Sequence, residues 1–186
     1  LFTRLMLVAV AALSIVACQT EPEIIVTPEA KQIAMTILAD VDDTRTVLDE
    51  VNGKGKVQWH ADDKLRVLQT HTTTDGSITT ITDTSETTID SNGKASFTVS
   101  FEETTADAFS YNAIYPHSSV VSGSTATKVK IRVKDAQTST ATSFDPEADI
   151  LVSNTIESTV QPTSLNMRFA RLVALGKMTL TNLPTS

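Results

Sequence analysis

Alternation constrains this chain more than any other feature. From Gln32 onward, apolar and polar side chains exchange at every residue in short runs, and beyond the N-terminal segment no long stretch holds a helical period. Ile33, Met35 and Ile37 alternate with Ala34, Thr36 and Leu38; Phe97, Val99 and Phe101 alternate with Thr98 and Ser100. Phe109, Tyr111, Ala113 and Tyr115 continue the pattern, as do Leu165, Met167 and Phe169, and then Met178 and Leu180. Residues 66–70 follow an Asp-rich turn, and 128–134 set Val129, Ile131 and Val133 against four cations. A side-chain period of two belongs to strands with one buried face. Threonine fills 30 of the 186 positions and, with Val and Ile, raises the β-branched content that pleated surfaces favour.

Asn52-Gly53 and Asn92-Gly93 are hairpin signals, since both residue types tolerate the positive φ of tight turns. Many short strands with turns between them predict an all-β fold, an antiparallel β-sandwich of Greek-key or transthyretin-like connectivity behind an N-terminal signal helix. The Thr/Ser/Asp-rich stretch 70–91, with Ile78, Ile81 and Ile89 as its apolar anchors, reads as an exposed edge hairpin, ahead of a loop or a flexible insertion. Residues 169–175 read as strand rather than short helix. The expected organisation is a signal peptide over 1–17, a Pro- and Glu-containing tether over 18–31, and a β-sandwich over 32–186.

Cys18 is the only cysteine, and it ends an apolar run, 5–16, that follows Arg4. The run is shorter than the ~20 residues that a membrane-spanning helix needs, and its order is that of an export signal. Ile15-Val16-Ala17-Cys18 resembles a bacterial lipobox. That resemblance implies a diacylglyceryl group on the Cys18 thiol, cleavage before it, and acylation of the new amino terminus. Two or more chains hold a protein stably on a bilayer where one does so only marginally. The alternatives are an ordinary secretory signal with an incidental Cys, or a buried free thiol. A lone cysteine consumed by lipid leaves no disulfide within the chain, so stability rests on packing. The formal charge of −7 argues against nucleic acid as a partner, because phosphate binding needs a basic face.

The motifs for catalysis and metal binding are weak. His60, His71 and His117 have no metal-ligand spacing, and no second Cys joins them. His60 with Asp62 and Asp63, and Asp40 with Asp42 and Asp43, read as polar turns; the latter lacks the glycine and distal Glu of a calcium loop. Asp145-Pro146-Glu147-Ala148-Asp149 reads as a turn into Ile150-Leu151-Val152. No nucleophile elbow, phosphate-cradling glycine loop or zinc-protease helix is present. The expectation is a non-enzymatic protein with no catalytic residues, no metal and no cofactor. Trp59, Tyr111 and Tyr115 read as packing residues rather than a sugar-stacking platform.

Five segments follow one another along the chain: Asp43-Thr44-Arg45-Thr46; Trp59-His60-Ala61-Asp62-Asp63-Lys64-Leu65-Arg66-Val67; Tyr111-Asn112-Ala113-Ile114-Tyr115-Pro116; Asp149-Ile150-Leu151-Val152; and Met167-Arg168-Phe169-Ala170-Arg171-Leu172. Behind a lipobox, this order resembles the fimbrillin-like lipoproteins of Bacteroidales, the subunits and anchors of type V pili. The resemblance implies that the chain is the first half of a longer two-domain protein, with an unusually short member of the family as the alternative. Physically, Trp59 is expected to fill the core, Pro116 to end a strand because it cannot donate to a ladder, and Arg168 and Arg171 to lie outside a strand whose Leu165, Met167 and Phe169 point in.

The resemblance also implies an outer-membrane, surface-exposed location, with Glu21 and Glu23 beside Cys18 in the manner of surface-export signals. It implies assembly with other pilus subunits: cleavage after an Arg, here Arg45, releases the first strand with Ile33, Met35 and Ile37, and a neighbour's strand takes its place. The plain alternative is that Arg45 is an outward strand or loop residue, and permanent attachment through Cys18 is the favoured outcome. A surface module binding glycans or other ligands is the runner-up, and a periplasmic or surface hydrolase a distant third. Exposed aromatics favour the first of these; a buried Trp59 and a bare sheet edge favour assembly.

Overall fold

Burial follows the alternation residue by residue. In the segment Ala95–Glu102 the side chains of Ala95, Phe97, Val99 and Phe101 are buried while Ser100 and Glu102 are exposed, and Ser164–Arg171 repeats the pattern with Leu165, Met167 and Phe169 inside. Each such side chain contributes roughly 1.5–3 kcal/mol when fully removed from water. The computed structural model describes residues 30–41, 47–51, 54–138 and 144–173. Within them lie β1 (Gln32–Val41), β2 (Val47–Val51), β3 (Lys54–Gln58), β4 (Arg66–Thr73), β5 (Gly76–Asp83), β6 (Glu86–Ile89), β7 (Ala95–Glu102), β8 (Ala108–Tyr115), β9 (Leu151–Ser153), β10 (Ile156–Ser158) and β11 (Ser164–Arg171). Two short 3₁₀ turns, His117–Ser119 and Pro146–Ala148, are the helical elements among the described residues. The fold is all-β and sandwich-like. The expected signal helix and Met178–Leu180 lie outside the described residues.

Nine strands form one sheet, ordered β5-β4-β8-β9-β11-β1-β7-β6, with β10 paired to β8. β2 and β3 make a separate hairpin, pairing Val51 with Lys54 across Asn52-Gly53, which itself lies outside the described residues. The large sheet folds over on itself. β5 and β6 are its opposite ends, yet only Thr84 and Ser85 separate them in the chain, and the Ser85 N–H reaches the Thr98 carbonyl of β7 at 2.8 Å. The three-residue β9 is the corner, pairing with the end of β8 and the end of β11. One apolar cluster therefore joins Val67, Phe109, Tyr111 and Ala113 from one half to Met35, Ile37, Phe97, Val99, Met167 and Phe169 from the other.

Trp59 fastens the two halves. Its ring meets Phe97 at 5.1 Å and Phe169 at 5.8 Å on one side, and Tyr115 at 5.4 Å on the other, all edge-on. Edge-to-face contacts match the positive rim of one ring to the negative face of the next. The expected core role of Trp59 is what the structure has. Arg168 is exposed, as expected, but Arg171 does not lie outside: it shares the parity of Leu165, Met167 and Phe169, is half-buried, and turns its guanidinium to the buried Asp149. Pro116, joined through a cis peptide, follows the last residue of β8.

Three expectations need correction or refinement. The sheet is not wholly antiparallel, because β1 and β11 run parallel, with Ile37 opposite Leu165 and Ala39 opposite Met167. Residues 128–134 are not a strand. They belong to a flap on the outer face of β4 and β8, tied by two isolated bridges, Val120 to Ile131 and Thr125 to Lys128. There Val129 packs with Leu68, Ile114, Val120 and Ala126, while Val133 is 53% exposed. The alternating residues thus reflect a tight turn laid on a small apolar patch. Finally, the Asn92-Gly93 hairpin closes with three residues between Asp90 and Lys94 rather than two, with Gly93 at φ +77°. Within the stretch 70–91, residues up to Asp83 form the predicted edge hairpin, β4 pairing with β5 from Arg66–Asp83 to Thr73–Gly76, whereas Glu86–Ile89 is β6, paired with β7 at the opposite end of the sheet.

Candidate assembly site

The first strand occupies an interior position. β1 pairs antiparallel with β7, from Gln32–Glu102 to Ala39–Ala95, and from Thr36 onward it also pairs with β11. The Thr36 N–H donates to the Thr163 carbonyl at 2.9 Å, at the mouth of that second ladder. Between Thr36 and Ala39, then, both edges of the β1 backbone are engaged. The side chains follow the same logic. Ile33 is half-buried opposite Phe101, Met35 is buried opposite Val99, and Ile37 is fully enclosed between Phe97 and Leu165. Leu38, one residue on, faces outward and is 42% exposed.

Without β1, a groove would open between β7 and β11. Its floor would hold the Phe97, Val99 and Phe101 side chains on one wall and Leu165, Met167 and Phe169 on the other. It would also hold two rows of unpaired backbone groups, each costly when sheltered from water. The N-terminal half of β1 pairs with β7 alone, extended by the Glu103 N–H donating to the Lys31 carbonyl at 2.7 Å and by an exposed Lys31–Glu103 ion pair at 2.9 Å, an interaction of small net value at a surface. Sequence alternation had singled out Ile33, Met35 and Ile37. It carried no signal for their partners, because β11 is more than a hundred residues away. Cys18 and Arg45 lie outside the described residues; β1 ends at Val41 and β2 begins at Val47, so Arg45 falls in the connection between them.

The polar residues that might have formed a chemical centre serve the fold. Asp63 is buried, and its carboxylate accepts from the His60 N–H at 2.6 Å and the Tyr115 hydroxyl at 3.0 Å, while its carbonyl accepts from Thr87 at 2.6 Å. This is the polar turn expected around His60 and Asp62. Asp145 caps the Pro146–Ala148 turn through the Glu147 N–H at 3.0 Å and also meets Lys134 at 2.9 Å. Hydrogen bonding from the Thr138 N–H, then Lys134 and the Glu147 N–H, holds its carboxyl below the ordinary range. Asp83 takes a two-pronged contact from Arg66 at 2.6 and 2.8 Å and faces His117 Nδ1 at 3.2 Å. Arg66 above all keeps the Asp83 carboxyl ionised to lower pH than usual.

Among the described residues, no group of three or more His, Cys, Asp or Glu side chains converges as a metal would require. A surface hollow of about 140 Å³ lies among Ser118, Ser119, Arg132, Lys134 and Glu147, well under the ~300 Å³ at which small-molecule sites begin. Burial pushes the Tyr111 phenol upward, and its oxygen has no hydrogen-bond partner in the core. No family model, curated protein or solved structure matches this chain.

Proposed function

We propose that this chain is a structural lipoprotein of the outer-membrane surface, a fimbrillin-like pilus subunit, anchor or adhesin component, that is attached through lipid on Cys18 and assembles by strand exchange. The supporting observation is the place of β1. It is an apolar strand with partners on both edges, and it ends at Val41, where the connection that contains Arg45 begins. A strand so placed has a replaceable shape: main-chain hydrogen bonds supply affinity, and alternate side-chain positions supply specificity. The burial of Trp59, Tyr111 and Tyr115 supports assembly over a sugar-stacking face, since those rings are enclosed by other core residues.

The test has two arms. An Arg-specific protease applied to the folded protein is expected to cut at Arg45 and convert it to higher oligomers, read by light scattering. Cutting without oligomers leaves an anchor role; an uncut chain that stays monomeric removes strand exchange. Separately, Cys18→Ser is expected to move the protein from the membrane fraction to the soluble one. Retention in the membrane fraction would defeat the lipid-anchor reading.

A further inference from the structure

The two ends of the large sheet are not alike. β6 is four residues long and begins with Glu86, the kind of short, charged edge that resists pairing with other strands. β5 is eight residues long, and from Gly76 to Thr82 it carries no charge and no proline. Ile78 is 61% exposed and Ile81 38% exposed. Pairing with β4 puts Ile78 on the face of His71 and Ile81 on the face of Leu68, so each face of this edge carries one exposed isoleucine.

The hydrogen-bond parity of β5 is fixed by its neighbour. The Thr84 N–H donates to the Leu65 carbonyl at 2.9 Å, which continues the ladder in which Thr82, Thr80 and Ile78 turn their backbone groups towards β4. Ser77, Thr79 and Ile81 therefore turn theirs outward, along the open end of the sheet. β5 itself also approaches β7, and beyond Asp83 the chain is bonded to that strand through the Ser85 N–H and the Thr98 carbonyl.

We propose that this edge pairs with the β5 strand of a second copy of the chain, antiparallel and two-fold symmetric, with Thr79 on the axis. A two-fold axis perpendicular to a sheet keeps each face on its own side, so residues opposite one another must differ by an even number. Centring on Thr79 sets Ser77 against the partner's Ile81 and uses the outward groups of Ser77, Thr79 and Ile81 on both copies. Ile78 then lies across from the partner's Thr80, and β-branched cross-strand pairs favour the ladder. The edge is its own complement in this register, and its lack of charge lets a second copy approach where the rest of the surface would repel it. The chain carries −7, so two copies repel over much of their surface, yet the seven residues 76–82 bring no charge to the contact. Asp83, at the end of the strand, already has its carboxylate engaged by Arg66. The arrangement closes on itself as a dimer and needs neither cleavage at Arg45 nor removal of β1. A contact of one strand edge is small, so the dimer is a weak one that the shared plane of a membrane surface would strengthen.

The experiment uses the full chain with Cys18→Ser, so that an added cysteine is the only thiol. Sedimentation over a wide concentration range is expected to show reversible dimers. Thr79→Lys, which sets two like charges face to face on the axis, should weaken self-association at least tenfold while leaving the unfolding midpoint close to that of the parent. Thr88→Lys on β6 should leave association unchanged. Under mild oxidation Thr79→Cys should cross-link into dimers and Thr74→Cys, in the adjacent turn, should not. A monomer at every concentration overturns the proposal. So do dimers indifferent to Thr79→Lys, which would place the contact elsewhere, and equal cross-linking at residues 74 and 79.

Discussion

Arg171, at the end of β11, grips the carboxylate of Asp149 with two guanidinium hydrogen bonds of 2.6 and 2.8 Å, and Asp149 is wholly buried. The pair anchors β11 to the segment that leads into β9. That matters for the proposed groove, because β11 is one of its walls and keeps only the short β9 ladder if β1 departs. Removing one partner of a buried pair strands the other charge without compensation. Arg171→Ala is therefore expected to destabilise the fold by ~3 kcal/mol, the low end for buried pairs, since the Arg171 side chain keeps 20% exposure. Arg171→Lys should cost less than Ala, and more than nothing, because it keeps the charge without the fork. Denaturant midpoints at constant slope measure both.

Trp59 is the only tryptophan, so the chain's indole fluorescence reports on the seam between the two halves of the sheet. Emission should be blue-shifted in the folded protein and move red in a single step on unfolding. Trp59→Ala is expected to cost about 3–5 kcal/mol through lost burial and an unfilled cavity. Trp59→Phe should recover part of that, as it retains edge contacts with Phe97 and Tyr115.

The strands with regular alternation were legible because burial of one face is a local pattern. β1, β7, β8 and β11 needed nothing beyond their own residues, and the same pattern left Arg168 outside. Partnership was not legible. Nothing in the 32–39 or 164–171 stretches says that they lie side by side and parallel, since pairing is settled by the whole core. The Asp149–Arg171 pair is hidden for the same reason, its members being 22 positions apart. At 128–134 the pattern misled, because a turn resting on Leu68 and Ile114 repeats the same alternation without a ladder. β6 and β10, at four and three residues, are too short to carry a period.

Position along β1 should be readable by mutation. Ile37→Ala removes a fully enclosed side chain and is expected to cost about 2–5 kcal/mol. Leu38→Ala, on the outward face, should stay within roughly 0.5 kcal/mol of the parent. Equal losses at the two sites would mean that β1 is not seated in the register with Phe97 and Leu165.

Acid should loosen the fold through Asp83. Arg66, and secondarily His117, hold its carboxyl below the ordinary value of 3.8, so the folded form takes up a proton less readily than the unfolded chain. A depressed carboxyl contributes stability at neutral pH, and that contribution is lost as pH falls through 3.8 towards the lower folded value. Asp145 acts in the same direction over the same window. The Asp83 side chain is 35% exposed and screened by solvent, so its share is at most ~1 kcal/mol. Thermal unfolding followed from pH 7 to pH 3 should show the midpoint falling towards the acid end. Asp83→Asn should lower the neutral-pH midpoint and make the acid decline shallower, because the mutant has already lost what protonation removes. A decline equally steep in the mutant would place the acid sensitivity in Asp145 or other carboxylates.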